Sequence, residues 1–265
     1  MAKKKKKKAQ EHALDTETGY HLGSNGGDGG CLTSHESEYK DGNACSHRYQ
    51  AYQHALEYSH WYNFPAYRLL EQSPALNPSE RPKGNSWDLG GSRVWTTGTI
   101  PNFRLYASVP YAHNGHHLIP YSVLNGALFD AAKNDMRIFY LVRASLLEAN
   151  YNLNDKENMV ILPMRKVIAD ALGLPRHISQ IDAEPGVKPE QCDHSIYSTN
   201  VRDRVEPIIA DFASEIDMKQ HDVDAPAFAK DRLVGISQSL FMQLRAWGAI
   251  AKGQAVNAMP AALFS

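Results

Sequence analysis

Residues 110–120 read PYAHNGHHLIP, and how the adjacent pair His116 and His117 is read decides the rest of the chain. Taken as a strand, successive side chains leave on opposite faces. One imidazole can then hold a metal while the other faces a substrate. Phosphodiester hydrolysis needs that division. A neutral histidine takes a proton from water near operating pH, and a divalent ion stabilises the charge that builds on phosphate and leaving oxygen. An isolated His-His pair is more often a polar turn with no ligand, so the decision rests on its surroundings.

Three further pieces lie downstream in order. NLNDKENMVILP at 152–163 places Asn158 at the start of a short apolar strand that ends at Pro163. GLPRH at 173–177 ends on His177, and DHSIYSTNV at 193–201 opens a helix with His194 at its start. Tyr197 follows three residues later, on the same helical face.

This order resembles the AHH-type His-Asn-His nucleases, a branch of the ββα-metal (treble-clef) superfamily whose members include bacterial toxin domains. The matching pieces are GHHLIP, NMVILP, GLPRH and DHSIYSTNV, covering about 110–205, some 95 of 265 residues. Two departures stand out. Gly115 occupies a position that is often Ala in the family. The family's compact H-x-G-x-H is opened here, so that His177 and His194 are 17 positions apart. Glu190 or Asp193 could then stand in for His177, or the 178–192 loop could fold out and leave the two imidazoles adjacent.

The resemblance implies an α+β, mostly helical fold with a small ββα-metal (treble-clef) core embedded in helices. It implies His116 and His194 as metal ligands and His117 as the general base. It implies Asn158 as the residue that holds the His117 loop, by a side-chain bond to backbone. His177 becomes a substrate (phosphate) contact or a further metal ligand, and Tyr197 a substrate contact that is equally readable as core packing. Mg²⁺ is the expected ion for so few ligands, with Zn²⁺, Mn²⁺ and Ni²⁺ as alternatives. The implied substrate is nucleic acid, DNA favoured over RNA. An immunity protein and a secretion apparatus are the implied partners of a toxin, one that is cytoplasmic in its producer and exported without a signal peptide.

Other candidates are weaker. His113 reads as a nearby polar residue. Arg165, Lys166, Arg202 and Arg204 could contact phosphates or form an ordinary solvated face. Cys31, His35, Cys45 and His47 carry a zinc-like ligand set at a spacing that fits no finger pattern. Cys192 could approach the metal.

The rest of the chain reads as three parts: a Lys/Gly-rich disordered tail (1–30), an irregular and helical segment (31–109), and the nuclease-like domain with C-terminal helices (110–265). Within them we expect a helix at 49–61, loops over 63–91 and short strands at 93–109. We expect one amphipathic helix at 128–150, a helix at 165–173 stopped by Gly173, a helix at 194–218 kinked or divided by Pro207, and a last helix at 227–252.

Composition limits the function classes. The 28 Lys+Arg nearly balance 29 Asp+Glu, but six of those lysines form the run Lys3–Lys8, and the body without them stands at 22 against 29. This is not a bulk nucleic-acid coat, so any such chemistry must be local. No apolar stretch approaches a membrane span of roughly 20 residues, and the basic start lacks the apolar segment of a Sec signal. Three cysteines make no disulfide framework, so a reducing cytosol is the expected site of synthesis. The leading reading is a metal-dependent endonuclease. The competing ones are a non-catalytic zinc-binding interaction module and a hydrolase of another phosphoester.

Overall fold

The computed structural model describes residues 29–34, 39–74, 76–78, 81, 86–90, 102–177, 194–218 and 225–264. Helices dominate: α1 (His47–Glu57), α2 (Phe64–Leu69), α3 (Tyr121–Ala131), α4 (Met136–Glu148), α5 (Lys166–Leu172), α6 (Ser195–Met218) and α7 (Ala225–Ile250). Among the described residues there is one sheet, made of β1 (His113–His117) and β2 (Met159–Pro163). Met164 N bonds to Ala112 O and Leu118 N to Asn158 O, so the pairing is antiparallel. The fold is therefore α+β and mostly helical. No described helix is long and apolar enough to cross a membrane.

The chain forms two compact units that interleave in sequence. The first comprises Met1–Gln50, His117–Asn158 and Ser198–Ser239; the second comprises Ala51–His116, Met159–Tyr197 and Leu240–Ser265. One boundary falls at the His116–His117 peptide bond.

In the first unit, α4 buries Ile138, Phe139, Val142, Leu146 and Leu147 at helical spacing. Phe139 stacks on Phe129 of α3 at 4.2 Å. The expected single helix at 128–150 is two helices. Lys133 and Asn134 both take left-handed backbone conformations, and Asp135 caps α4 by accepting from Arg137 N at 2.8 Å. The Lys-Asn-Asp sequence ends one helix and starts the next. Gly30 lies so close to α4 that a Cβ would meet Leu147 Cα at 2.5 Å, which explains why a residue without a side chain stands there. Cys31 then pairs with Asn152 in a parallel bridge.

In the second unit, Tyr67, Trp87, Phe103 and Tyr111 form an aromatic core with mostly edge-on or tilted rings. Tyr62 Oη donates to Ile161 O of β2. Two expectations fail here. The expected loop at 63–91 contains α2, because Pro65 falls in a first turn, where the missing N–H costs nothing. Asn63 supplies the cap by accepting from Ala66 N. The expected strand at 103–109 is a run of turns, since Asn102 Oδ1 accepts from both Arg104 N and Leu105 N and bends the chain. The strand expected at 93–100 lies outside the described residues.

α6 continues through Pro207 without dividing. Gly173 closes α5 in the left-handed conformation (φ 69°), as its glycine suggests.

Candidate metal centre

Three histidines converge in the second unit. His116 comes from β1, His177 from the extended segment after α5, and His194 from the residue that precedes α6. One ring nitrogen of each lies within 4.8 Å of the others, and this is the metal-capable group found among the described residues. Ring centroids are separated by 5.0 Å (His116–His177), 5.2 Å (His116–His194) and 5.5 Å (His177–His194).

Backbone contacts explain the convergence. His177 N donates to Pro163 O at the end of β2. Arg176 pairs with the C-terminal segment, N to Gln254 O and O from Val256 N. His177 is thus clamped between β2 and residues 254–256. That same segment holds His194. Asn257 Oδ1 accepts from Ile196 N at 2.8 Å and Tyr197 N at 3.1 Å, satisfying two donors of the first turn of α6. A cap supplied from some 60 positions away leaves no local signal, so Asn257 is illegible in the sequence.

The electrostatics suit a cation. His116 and His177 are buried and His194 is half-buried. Burial, reinforced by the nearby His194, pushes the His177 pKa down to about 3, so the ring is neutral and its lone pair is available at neutral pH. His177 Nδ1 is a buried atom with no hydrogen-bond partner. Metal ligation satisfies such a nitrogen. Three imidazoles, two of them buried, fit a divalent ion that prefers nitrogen donors.

Tyr197 is fully buried. Its ring stands edge-on to His116 at 5.2 Å and packs on Phe264 at 5.6 Å, walling the histidine group.

His117 belongs to the first unit. Its Nε2 lies 3.0 Å from Asn154 Oδ1, and its ring centroid is 6.1 Å from that of His47. Asn158 is buried beside the residues that follow His117. Its Oδ1 accepts from Ile119 N (2.7 Å) and Ser237 Oγ (2.9 Å). Its Nδ2 donates to Leu153 O (2.8 Å) and Ile119 O (3.2 Å). Every hydrogen-bonding position of this amide is used, which pins the turn after His117. Asn154 is a residue that the sequence reading passed over. Its signal was the Asn-x-Asn of 152–154 inside a polar run.

His113 is buried against Phe103, with Nδ1 2.7 Å from Tyr111 O, apart from the metal-capable group. Arg202 is paired with Asp130 and Glu206, and Arg204 bonds to Ser239 Oγ. Arg165 stands at the N-terminal cap position of α5. Cys31 and Cys45 are buried together in an apolar cluster, and no metal-capable group forms around them among the described residues. His35, Glu190, Cys192, Asp193 and the 178–192 loop lie outside the described residues.

No family model, no curated protein and no solved structure matches this chain.

Proposed function

We propose that the chain is a metal-dependent endonuclease of the AHH His-Asn-His type, with a ββα-metal core, acting on DNA in preference to RNA. The observation that carries this reading is the convergence of His116, His177 and His194, residues 61 and 17 positions apart, beside a β1 whose next residue is His117. Consecutive strand residues face opposite sides, so a ligand and a base can be adjacent in sequence without competing for one ion.

The roles then divide. His116, His177 and His194 hold the metal, so His177 joins the ligands instead of contacting substrate. An all-imidazole set favours Zn²⁺, Mn²⁺ or Ni²⁺ over Mg²⁺, which takes oxygen ligands. A bound ion supplies charge stabilisation to the phosphate and the leaving oxygen. His117 takes the proton from the attacking water. Asn158 fixes the turn that follows His117. Tyr197 packs His116 and His194 in place. A toxin role, with export from the producing cell and a neutralising immunity protein, follows from the same resemblance.

The test uses plasmid DNA with Zn²⁺, Mn²⁺, Ni²⁺ or Mg²⁺, with and without EDTA, beside His117→Ala. Wild type should cut in a transition metal and stop with EDTA. His117→Ala should cut about 10²- to 10⁴-fold more slowly, the usual worth of a general base. A protein that binds zinc tightly yet cuts with none of the four metals is a zinc-binding interaction module instead. Cleavage that survives in His117→Ala removes the base assignment.

A further inference from the structure

Asn154 is fully buried and sits in a defined set of partners. Its Nδ2 donates to Thr33 O at 2.9 Å and reaches Cys31 Sγ at 3.5 Å. Its Oδ1 lies 3.0 Å from His117 Nε2. Its backbone N–H donates to Asn152 Oδ1 at 2.9 Å.

The two ends of an amide are assigned by their partners. A backbone carbonyl only accepts, so the NH₂ group must face Thr33 O. The oxygen therefore faces His117. That oxygen also only accepts, so the hydrogen in the Asn154–His117 bond belongs to Nε2. A neutral imidazole carries one N–H, which leaves the lone pair on Nδ1.

We infer that Asn154, oriented by residues 31–33, is a positioning residue that fixes His117 as the Nε2–H tautomer. Under the nuclease reading, on which this last step rests, Nδ1 is the atom that takes the proton from water. The tautomer itself does not depend on that reading.

The orienting segment lies far outside the 110–205 stretch. Cys31 N bonds to Tyr151 O at 2.9 Å, and Leu153 N bonds to Cys31 O at 2.7 Å. These two bonds lock residues 31–33 alongside 151–154, so Thr33 O is held where the amide needs it. Rotating the Asn154 amide would set its oxygen against the Thr33 oxygen, which opposes the other tautomer.

The test is a long-range ¹H–¹⁵N correlation spectrum of the full chain, without metal and with Zn²⁺ as probe, above the pH at which free imidazole is protonated. His117→Gln identifies the His117 signals. The expected pattern is Nε2–H, and Asn154→Leu, which keeps the volume but removes both polar ends, should lose it. On plasmid DNA, Asn154→Leu should lower kcat about 10- to 100-fold with KM unchanged, the usual cost of losing a residue that orients an active histidine. Asn154→Asp keeps an oxygen acceptor for Nε2–H but sets a second oxygen against Thr33 O, so it should restore the Nε2–H pattern while recovering only part of the lost kcat. An Nδ1–H pattern in the wild type overturns the inference, as does an Asn154→Leu protein with unchanged tautomer and kcat. If wild type cuts no nucleic acid but shows Nε2–H, the positioning stands and the nuclease reading falls. If Asn154→Leu does not fold, the wild-type spectrum decides alone.

Discussion

The two units use different polar side chains for opposite ends: amides in the first and imidazoles in the second. Around His117, asparagine amides form a network of bonds to backbone groups and neighbouring side chains. Asn158 uses all four of its bonding positions, and Asn154 is held at both ends. Around His116, ring nitrogens from three histidines gather within 4.8 Å of one another, and His177 keeps a buried Nδ1 with no hydrogen-bond partner. Such an amide network sets geometry and gains nothing from a ligand. A buried, neutral His177 beside two further imidazoles is costly by itself and is stabilised by a cation. That difference says which half should respond to metal and which to loss of a single amide.

The largest effect should come from breaking the histidine group. Zn²⁺ at about 100 times its Kd should stabilise wild type by about 2.7 kcal/mol, read as a rise in melting temperature. His194→Ala should weaken metal affinity about 100-fold or more and abolish most of that rise. An unchanged rise in His194→Ala would place the metal elsewhere. In the other unit, Asn158→Ala should cost about 2–4 kcal/mol with or without metal, because it strands the Ile119 N–H and two carbonyls in the interior. Urea denaturation measures it. A loss that disappears when metal is added would erase the distinction between the two units.

The pH response sharpens the contrast further. The unfolded chain protonates His177 near its usual 6.5, whereas the folded chain resists until about 3. Stability is therefore full above pH 6.5 and declines as pH falls towards 3. At pH 5 the metal-free protein should have lost about 2 kcal/mol through this residue. Asp88 acts in the opposite sense, because burial raises its pKa from 3.8 to about 6 despite the Arg104 ion pair. It adds stability as pH falls from 6 to 3.8. Comparing wild type with His177→Gln cancels Asp88, and a difference that does not grow on acidification would remove the His177 assignment. The smallest effect is Asn257→Ala, which uncaps α6 at a cost of about 1 kcal/mol. It should also weaken Zn²⁺ binding, since His194 stands just before that helix.

Some elements were legible because their signals are local. Asn158 followed by an apolar run ending in proline marked β2, and Gly173 marked the end of α5. α6 and α7 carried long helical patterns. Errors came where a polar residue redirects the chain by its own backbone bond. Asn102 turned an apparent strand, Asn63 and Pro65 started a helix in an apparent loop, and Lys133 to Asp135 broke a helix in two. Such residues report a turn only when their side-chain acceptors are matched to particular N–H groups.

The sequence by itself led to an apolar strand just after Asn158 and to a helix just after His194, because each follows from a local pattern along a regular backbone. Only the tertiary structure decided that His177 stands with His116 and His194, despite the 17 positions that separate it from His194. It alone decided that Asn257 caps α6 and that Asn154 is oriented by Thr33. The reason is physical. These contacts are made by single carbonyl and amide groups brought together from distant segments, and such bonds leave no periodicity to read.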